Sequence, residues 1–233
     1  MREICNKNYF KKDFGEILNY QDIVFREVIF DNCTVGLDNN INNLNEISGI
    51  RFNDCSFIFC TFGSAIFNNV LFNNIKFQDY GIFWSPFLNK VTFEGKISSF
   101  RINSNGFMLD KNPELNNNLN QLRANFYKNI EWALDISKAK LSSFDYSGIP
   151  SHLFIRDPDT QFVVKKEKFN SLDLLDKRFK DKFDAVMIYL EDFLNSNEND
   201  KVITVPLARP KKYKQPILEG LQELRRLGFA EKE

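Results

Sequence analysis

Little in this chain is equipped for chemistry. One histidine, His152, stands in 233 residues. The four cysteines, Cys5, Cys33, Cys55 and Cys60, form no CxxC pair, so the spacing supports neither a zinc site nor a dithiol redox centre. Ten glycines supply little material for a phosphate-cradling loop, and no such motif occurs. Ser147 and Ser151 lie close together, yet no G-x-S-x-G or S-x-x-K frames a nucleophile. Charge of one sign is missing too: 31 basic residues balance 31 acidic ones. That argues against a phosphate binder held by bulk charge and equally against a strongly acidic nucleic-acid mimic. No apolar run approaches the roughly 18 residues of a membrane span. The opening segment "MREICNKNYFKKDFGE" has no apolar core of the signal-peptide kind. The expectation is a soluble, cytoplasmic, non-enzymatic protein without metal or cofactor, its cysteines free thiols in a reducing compartment.

Phenylalanine, by contrast, is abundant, with 25 residues. In "FNDCSFIFCTFGSAIFNNVLFNNIKF" it returns at every fifth place: Phe52, Phe57, Phe62, Phe67, Phe72 and Phe77. A helix repeats its apolar face near 3.6 residues and a strand near 2, so five fits neither. Two places before each ring stands an apolar, mostly small residue: Ile50, Cys55, Cys60, Ala65, Val70 and Ile75. Two places after it Asp54, Asn69, Asn74 and Asp79 recur. An upstream copy runs Ile23/Phe25, Val28/Phe30 and Cys33/Val35. A fainter continuation reads Tyr80/Ile82, Ser85/Phe87 and, shifted by one, Val91/Phe93.

One small and one large inward residue per five describes a short extended segment followed by a corner. Four such sides make a square coil of about 20 residues, and coils can stack at the roughly 4.8 Å spacing of paired strands. The rings then pile up inside, and the small residues fill the space they leave. Asn and Asp suit the corners because they tolerate left-handed backbone and hydrogen-bond their own turns. Cys33, Cys55 and Cys60 fall on the small inward position, where a thiol acts as a compact hydrophobe.

Over residues 20 to 95, and again over 132 to 148 ("LDISKAKLSSFDYSG", with Leu134/Ile136, Ala139/Leu141 and Phe144/Tyr146), the pattern resembles the pentapeptide-repeat family. Its units centre on Leu or Phe, with Ala, Cys, Ser or Val two places earlier. The resemblance implies a right-handed quadrilateral β-helix. The chain departs from the commonest consensus just before the centre, where Ser56, Thr61, Ile66, Leu71 and Lys76 stand in place of Asp or Asn. Several of these would face outward, which suggests a covered face or a partner surface.

The expected fold is therefore mainly β: a β-solenoid over residues 1–150, followed by a small α+β C-terminal cap over 151–233. An inserted polar loop is placed at 36–49. A short helix, or a loop lying over the solenoid, is placed at 113–129, with Leu115, Leu119, Leu122 and Phe126 at helical spacing. In the cap, "HLFI" and "QFVV" (152–155 and 161–164) read as strands joined through the turn-rich "RDPDT". One amphipathic helix is expected from 171 to 194, a strand at 202–207, and a last helix at 216–227 stopped by Gly228. Such a cap shields the unpaired backbone of an open solenoid end. The stretch "GIPSHLFIRDPDTQFVVKKE" resembles the tail of bacterial pentapeptide-like proteins, which brings no activity with it.

Candidate partner-binding residues form two groups. Arg156, Asp157 and Asp159 hold charges that suit a cation or a simple turn. Arg209, Lys211, Lys212 and Lys214 surround Tyr213 in "ARPKKYK", a basic cluster able to meet phosphate or an acidic protein surface, or to serve as a solvated linker. Trp84 and Trp132 are corner plugs or exposed anchors. The leading expectation is a protein-binding scaffold, for instance a bacterial immunity or antagonist protein that neutralises a toxin or enzyme, since rigid faces lose little entropy on docking. Two alternatives stand beside it. One is topoisomerase protection by duplex mimicry, for which acids outnumber bases only modestly between residues 20 and 110. The other is an enzyme or ligand-binding protein with a site between solenoid and cap, built from His152, Arg156, Asp157 and Asp159.

Overall fold

A computed structural model describes residues 1–12, 21–35, 44–107, 112–169 and 177–231. Among the described residues twenty short parallel strands form four sheets, here numbered I to IV. Sheet I holds strands Arg2–Cys5, Ile23–Arg26, Arg51–Asn53, Leu71–Asn73, Val91–Ile97, Leu134–Asp135 and Phe154–Ile155, and Ala139–Leu141 joins the far end of Val91–Ile97. Sheet II holds Asn8–Phe10, Ile29–Asp31, Ser56–Ile58 and Lys76–Phe77. Sheet III holds Thr34–Val35, Thr61–Phe62, Gly81–Trp84, Phe100–Asn103 and Phe144–Tyr146, and sheet IV holds Asn45–Ser48, Ala65–Asn68 and Phe87–Asn89. From residue 45 to residue 89 the chain visits IV, I, II and III in unbroken rotation, a topology compatible with a β-solenoid.

The register shows what the five-residue period encodes. Phe25 pairs with Phe52, Phe52 with Phe72 and Phe72 with Phe93. In sheet II, Tyr9, Phe30, Phe57 and Phe77 stand in one row. Their rings stack: 5.3, 5.1 and 4.6 Å between centroids along the first row and 5.5, 4.9 and 5.6 Å along the second. Neighbouring rows meet edge to face, as Phe52 and Phe57 do at 5.5 Å and 70°. Both arrangements suit the quadrupole of an aromatic ring. At the corners twelve non-glycine residues among those described take positive φ, Asp54, Asn69, Asn74 and Asp79 with them. At ten of the twelve the N–H still reaches the next coil, as Asp54 N does to Asn73 O (2.9 Å) and Asn74 N to Glu94 O (3.1 Å).

The coil is not constant in length. Asn53 and Asn73, 20 residues apart, are bonded across one step, whereas Asn68 and Asn89, 21 apart, are bonded across another. The extra residue corrects the fainter repeat. Gly81 and Phe83 face inward, not Tyr80 and Ile82, and Tyr80 is exposed. Gly81 is needed there, since a Cβ would lie 2.6 Å from the Phe77 ring. The same shift puts Leu88 in the ladder opposite Phe67 and turns Phe87 outward.

Phe87 is nonetheless fully buried, because helix α1 (Pro113–Tyr127) covers it. Pro113 opens α1 and the Asn112 side chain accepts from Leu115 N, a regular N-cap. Phe126 meets Phe87 edge to face at 5.5 Å, and Leu119 and Ile66 complete the contact. Ile66, one of the outward apolar residues of the repeat, thus has a covered face. Of the loop expected at 36–49, residues 36–43 lie outside the described ones, while 45–48 form a strand of sheet IV.

The cap differs from expectation in its pairing. Phe154–Ile155 adds to sheet I beside Leu134–Asp135, and Gln161–Lys165 pairs antiparallel with Asp200–Thr204, so the two segments around "RDPDT" do not form a hairpin. This antiparallel pair lies between two cores. Val163 and Val202 join the core of the parallel sheets, whereas Phe162, Val164 and Ile203 face the helices, the alternation a strand imposes. The helix expected at 171–194 is two: α2 (Lys177–Lys182) and α3 (Asp184–Asn195), the residues before 177 lying outside the described ones. The break falls at Phe183, which packs 4.9 Å from Phe179 and against Gly220 of helix α4 (Lys211–Arg226). Helix α4 starts five residues earlier than expected and carries Pro216 within its second turn, and Gly228 (φ +85°) follows its end. Among the described residues no helix is long and apolar enough to cross a membrane.

Truncating the ladder at Phe72→Ala should cost about 3–5 kcal/mol, the range for emptying a fully buried ring site, measurable by urea denaturation. The thiols give a second test. Cys33, Cys55 and Cys60 donate to backbone carbonyls at 3.3–3.6 Å, and burial pushes Cys55 up to about 11 and Cys60 to about 12. Cys5 alone is exposed, so native protein should release one equivalent of colour from a thiol reagent promptly, and the other three only after unfolding.

Candidate functional site

Two surfaces stand out once the core is accounted for. The first is the outer face of sheet II. Its outward positions include Phe10, which is 56% exposed, Ile29 and the half-buried Ile58, with Phe10, Asp31 and Ile58 in one row. Phe59 follows at the corner, 62% exposed, with φ +50°. Among the described residues the other positive-φ positions carry Asn, Asp, Lys, Glu, Ser or Gly. A bulky residue held in left-handed backbone costs on the order of 1–3 kcal/mol, and an exposed ring recovers little of it by burial. Lys11, whose ammonium lies 5.2 Å from the Phe10 ring, flanks the patch.

The second is a polar cleft of about 860 Å³. Sheet III forms its floor with Arg101, Asn103 and Asp145; α1 supplies Asn120 and Arg123; the segment from Asn195 to Lys201 forms the third side. Arg123 is 3% exposed. Its Nη1 donates to Asn120 Oδ1 (2.8 Å), and its Nη2 to Ser85 Oγ (2.5 Å) and Ser104 O (2.6 Å). The guanidinium also lies 5.7 Å from the Phe87 ring, so this one side chain ties α1 to the stacked sheets. Tyr127, beside it, accepts from Leu88 N through its hydroxyl, and burial pushes its pKa up to about 12.

The floor of the cleft holds an ion-pair knot. Asp145 accepts from Lys201 (2.7 Å) and from Arg101 Nε (2.7 Å), and Lys201 also donates to Tyr146 O. Burial pushes the Asp145 carboxyl up, but the two cations outweigh it and hold it below its ordinary value. Lys201 belongs to the cap and Asp145 to the last coil, so the knot fastens one to the other. Val202 N, donating to Tyr146 Oη at 2.7 Å, and Gln161 Nε2, donating to Ile136 O at 2.7 Å, do the same.

The candidates read from sequence scatter. His152 lines the cleft, but Arg156, Asp157 and Asp159 do not come with it. Arg156 donates to Gln161 O (3.1 Å) and reaches Glu231 at 3.4 Å. Asp157 closes its own turn, accepting from Asp159 N and Thr160 Oγ1. Lys211, Lys212 and Tyr213 are exposed on the first turn of α4, not on a linker, and Lys214 donates to Leu207 O. Arg209 donates to Ser142 O at 3.2 Å. Among the described residues no cluster of His, Cys, Asp and Glu is arranged to hold a metal ion. Sequence reasoning missed Phe59 and Arg123. Phe59 was open to detection, as the one apolar side chain in the column Asp54, Phe59, Asn69, Asn74, Asp79. Arg123 carried no such signal on a helix with a polar composition.

Because the folded-state pKa of Asp145 is depressed, its contribution to stability is present above its ordinary value of 3.8 and is lost as pH falls through the folded value. Asp145→Asn should therefore lower stability at neutral pH and flatten the acid limb of a stability–pH profile measured by urea denaturation. Comparison of the chain with family models, with curated proteins and with solved structures finds no match.

Proposed function

We propose that the protein is a non-enzymatic binding scaffold: a right-handed quadrilateral β-helix of pentapeptide-repeat type whose outer face on sheet II docks a partner protein. The observation that carries this reading is Phe59. Its strained backbone and exposed ring add nothing to the fold, while a rigid exposed aromatic is the side chain best suited to anchor an interface. Phe10, Ile29 and Ile58 add apolar surface to the same face, with Asp31 between Phe10 and Ile58 and Lys11 beside the Phe10 ring. The partner is a protein with an apolar pocket for the Phe59 ring. Neutralisation of a bacterial toxin or enzyme is the use that suits a stiff face committed to one cognate protein.

Charge favours docking of a protein over duplex mimicry. Mimicry needs carboxylates in a continuous run, but successive outward positions of sheet III carry Ile82, Arg101 and Asp145. In sheet I, Arg26, Asn53, Asn73 and Glu94 share a row. Arg26 there is held by Glu3 at 3.0 Å.

The substitution Phe59→Asn separates folding from binding. Asn accepts the left-handed corner, so stability should hold or rise by about 1 kcal/mol. Affinity capture from the source cells with wild-type and variant baits should then recover a partner on the wild type alone. Identical recovery by both, or a variant that unfolds, would remove this reading.

A further inference from the structure

Among the described residues one buried side-chain donor has no hydrogen-bond partner, and it is Arg123 Nε on the wall of the polar cleft. Buried donors are almost always satisfied, so an orphan calls for an explanation. A guanidinium carries five N–H donors. Three of Arg123's go to Asn120, Ser85 and Ser104, which leaves the Nε–H and one Nη1–H unspent. All three acceptors are neutral oxygens, and no carboxylate lies within ion-pair distance among the described residues. A buried cation without a counter-ion is costly, and burial does lower the pKa of this group.

Of the four acids that line the cleft, Asp145, Asp192, Glu198 and Asp200, three are engaged with other partners. Asp145 is held by Arg101 and Lys201. Glu198 accepts from Gly148 N and Asp200 from Ser151 N, each at 2.8 Å. Gly148, with φ +78°, packs closely against the guanidinium: a Cβ there would stand 3.0 Å from Nη1 and 2.8 Å from Ser104 Cβ. The rest of the lining includes the amides of Asn103, Asn105 and Asn199. Each such group both donates and accepts, the property that pairs with ligand hydroxyls. A volume of about 860 Å³ falls in the range of metabolite pockets and exceeds the needs of a bare anion.

We propose that this cleft binds a small hydroxyl-rich metabolite through a phosphate or carboxylate group held on Arg123. The site is independent of the docking face on sheet II and shares no residue with it.

Calorimetric titration of the full chain, with sodium chloride matched for ionic strength, tests this with three probes: inorganic phosphate, glucose 6-phosphate and gluconate. At least one hydroxylated probe should bind about tenfold more tightly than inorganic phosphate and shift the Arg123 Nε–H resonance in a nitrogen–proton spectrum. A lead for glucose 6-phosphate assigns the anion as phosphate, and a lead for gluconate assigns it as carboxylate. Arg123→Lys, which keeps the charge but loses the planar fork, should weaken binding about tenfold or more. Since that change also loosens α1, Asn199→Leu on the exposed segment before Asp200 serves as the second variant. It should weaken the hydroxylated probes and leave inorganic phosphate unaffected. An Nε–H signal that no probe moves would show that water alone meets these donors and would overturn the proposal. Equal binding of all three probes would overturn it as well.

Discussion

Two spacings coincide in this molecule, and its architecture follows from the coincidence. Parallel strands pair at about 4.8 Å, and aromatic rings in face-to-face offset stacks lie at nearly the same distance. The inward rings are separated by 4.3 to 5.6 Å from coil to coil in the rows of sheets I, II and III. Backbone hydrogen bonding and side-chain packing therefore demand the same coil rise, and neither strains the other. Edge-to-face contacts between adjacent rows then lock the rows sideways. Only two inward side chains fit per side, so the remaining residues must turn the chain, and the left-handed corner is the shortest way to do it.

That solution consumes the interior. Among the described residues the rings and small side chains fill the space between the stacked sheets, with a void of about 30 Å³ beside Val35, where the row of sheet III has no ring. The two outer features differ in kind. The face of sheet II is apolar and strained at one point. The cleft beside α1 is polar and holds a buried charge with unspent donors. Both arise where the repeat is broken: Phe59 replaces a polar corner residue, and α1 interrupts the coil between sheets III and I. The capped end, by contrast, is spent on stability. There Val163 and Val202 close the core, and Asp145, Tyr146, Lys201 and Gln161 bind the cap to the last coil.

Much of this was legible in residue order because the coil is a local device. Spacing alone placed Phe52, Phe57, Phe62, Phe67, Phe72 and Phe77 inward, assigned the small position to Cys33 and Cys55, and put left-handed corners at Asp54, Asn69, Asn74 and Asp79. It failed first at Gly81, where one added residue moves the phase without changing composition. It failed again in the cap. Whether Phe154–Ile155 pairs with Gln161–Lys165 or with sheet I depends on which edge is exposed after the last coil, and that edge is made by residues 134 and 135, some twenty positions away. Of the site, His152 was noted but its company was not, because Arg123, Asn103 and Glu198 come from three separate segments.

Residue order by itself determined the stacked β architecture, the inward set and the chemistry of the corners, since each is decided within one five-residue unit and its copy a coil later. Tertiary structure alone decided that α1 lies on sheet IV, that Phe87 is covered while Phe59 is not, and that a buried guanidinium faces a cleft without a counter-ion. Those outcomes depend on which segments meet across 20 to 60 positions of sequence, and contact over such distances is set by the packing of whole elements.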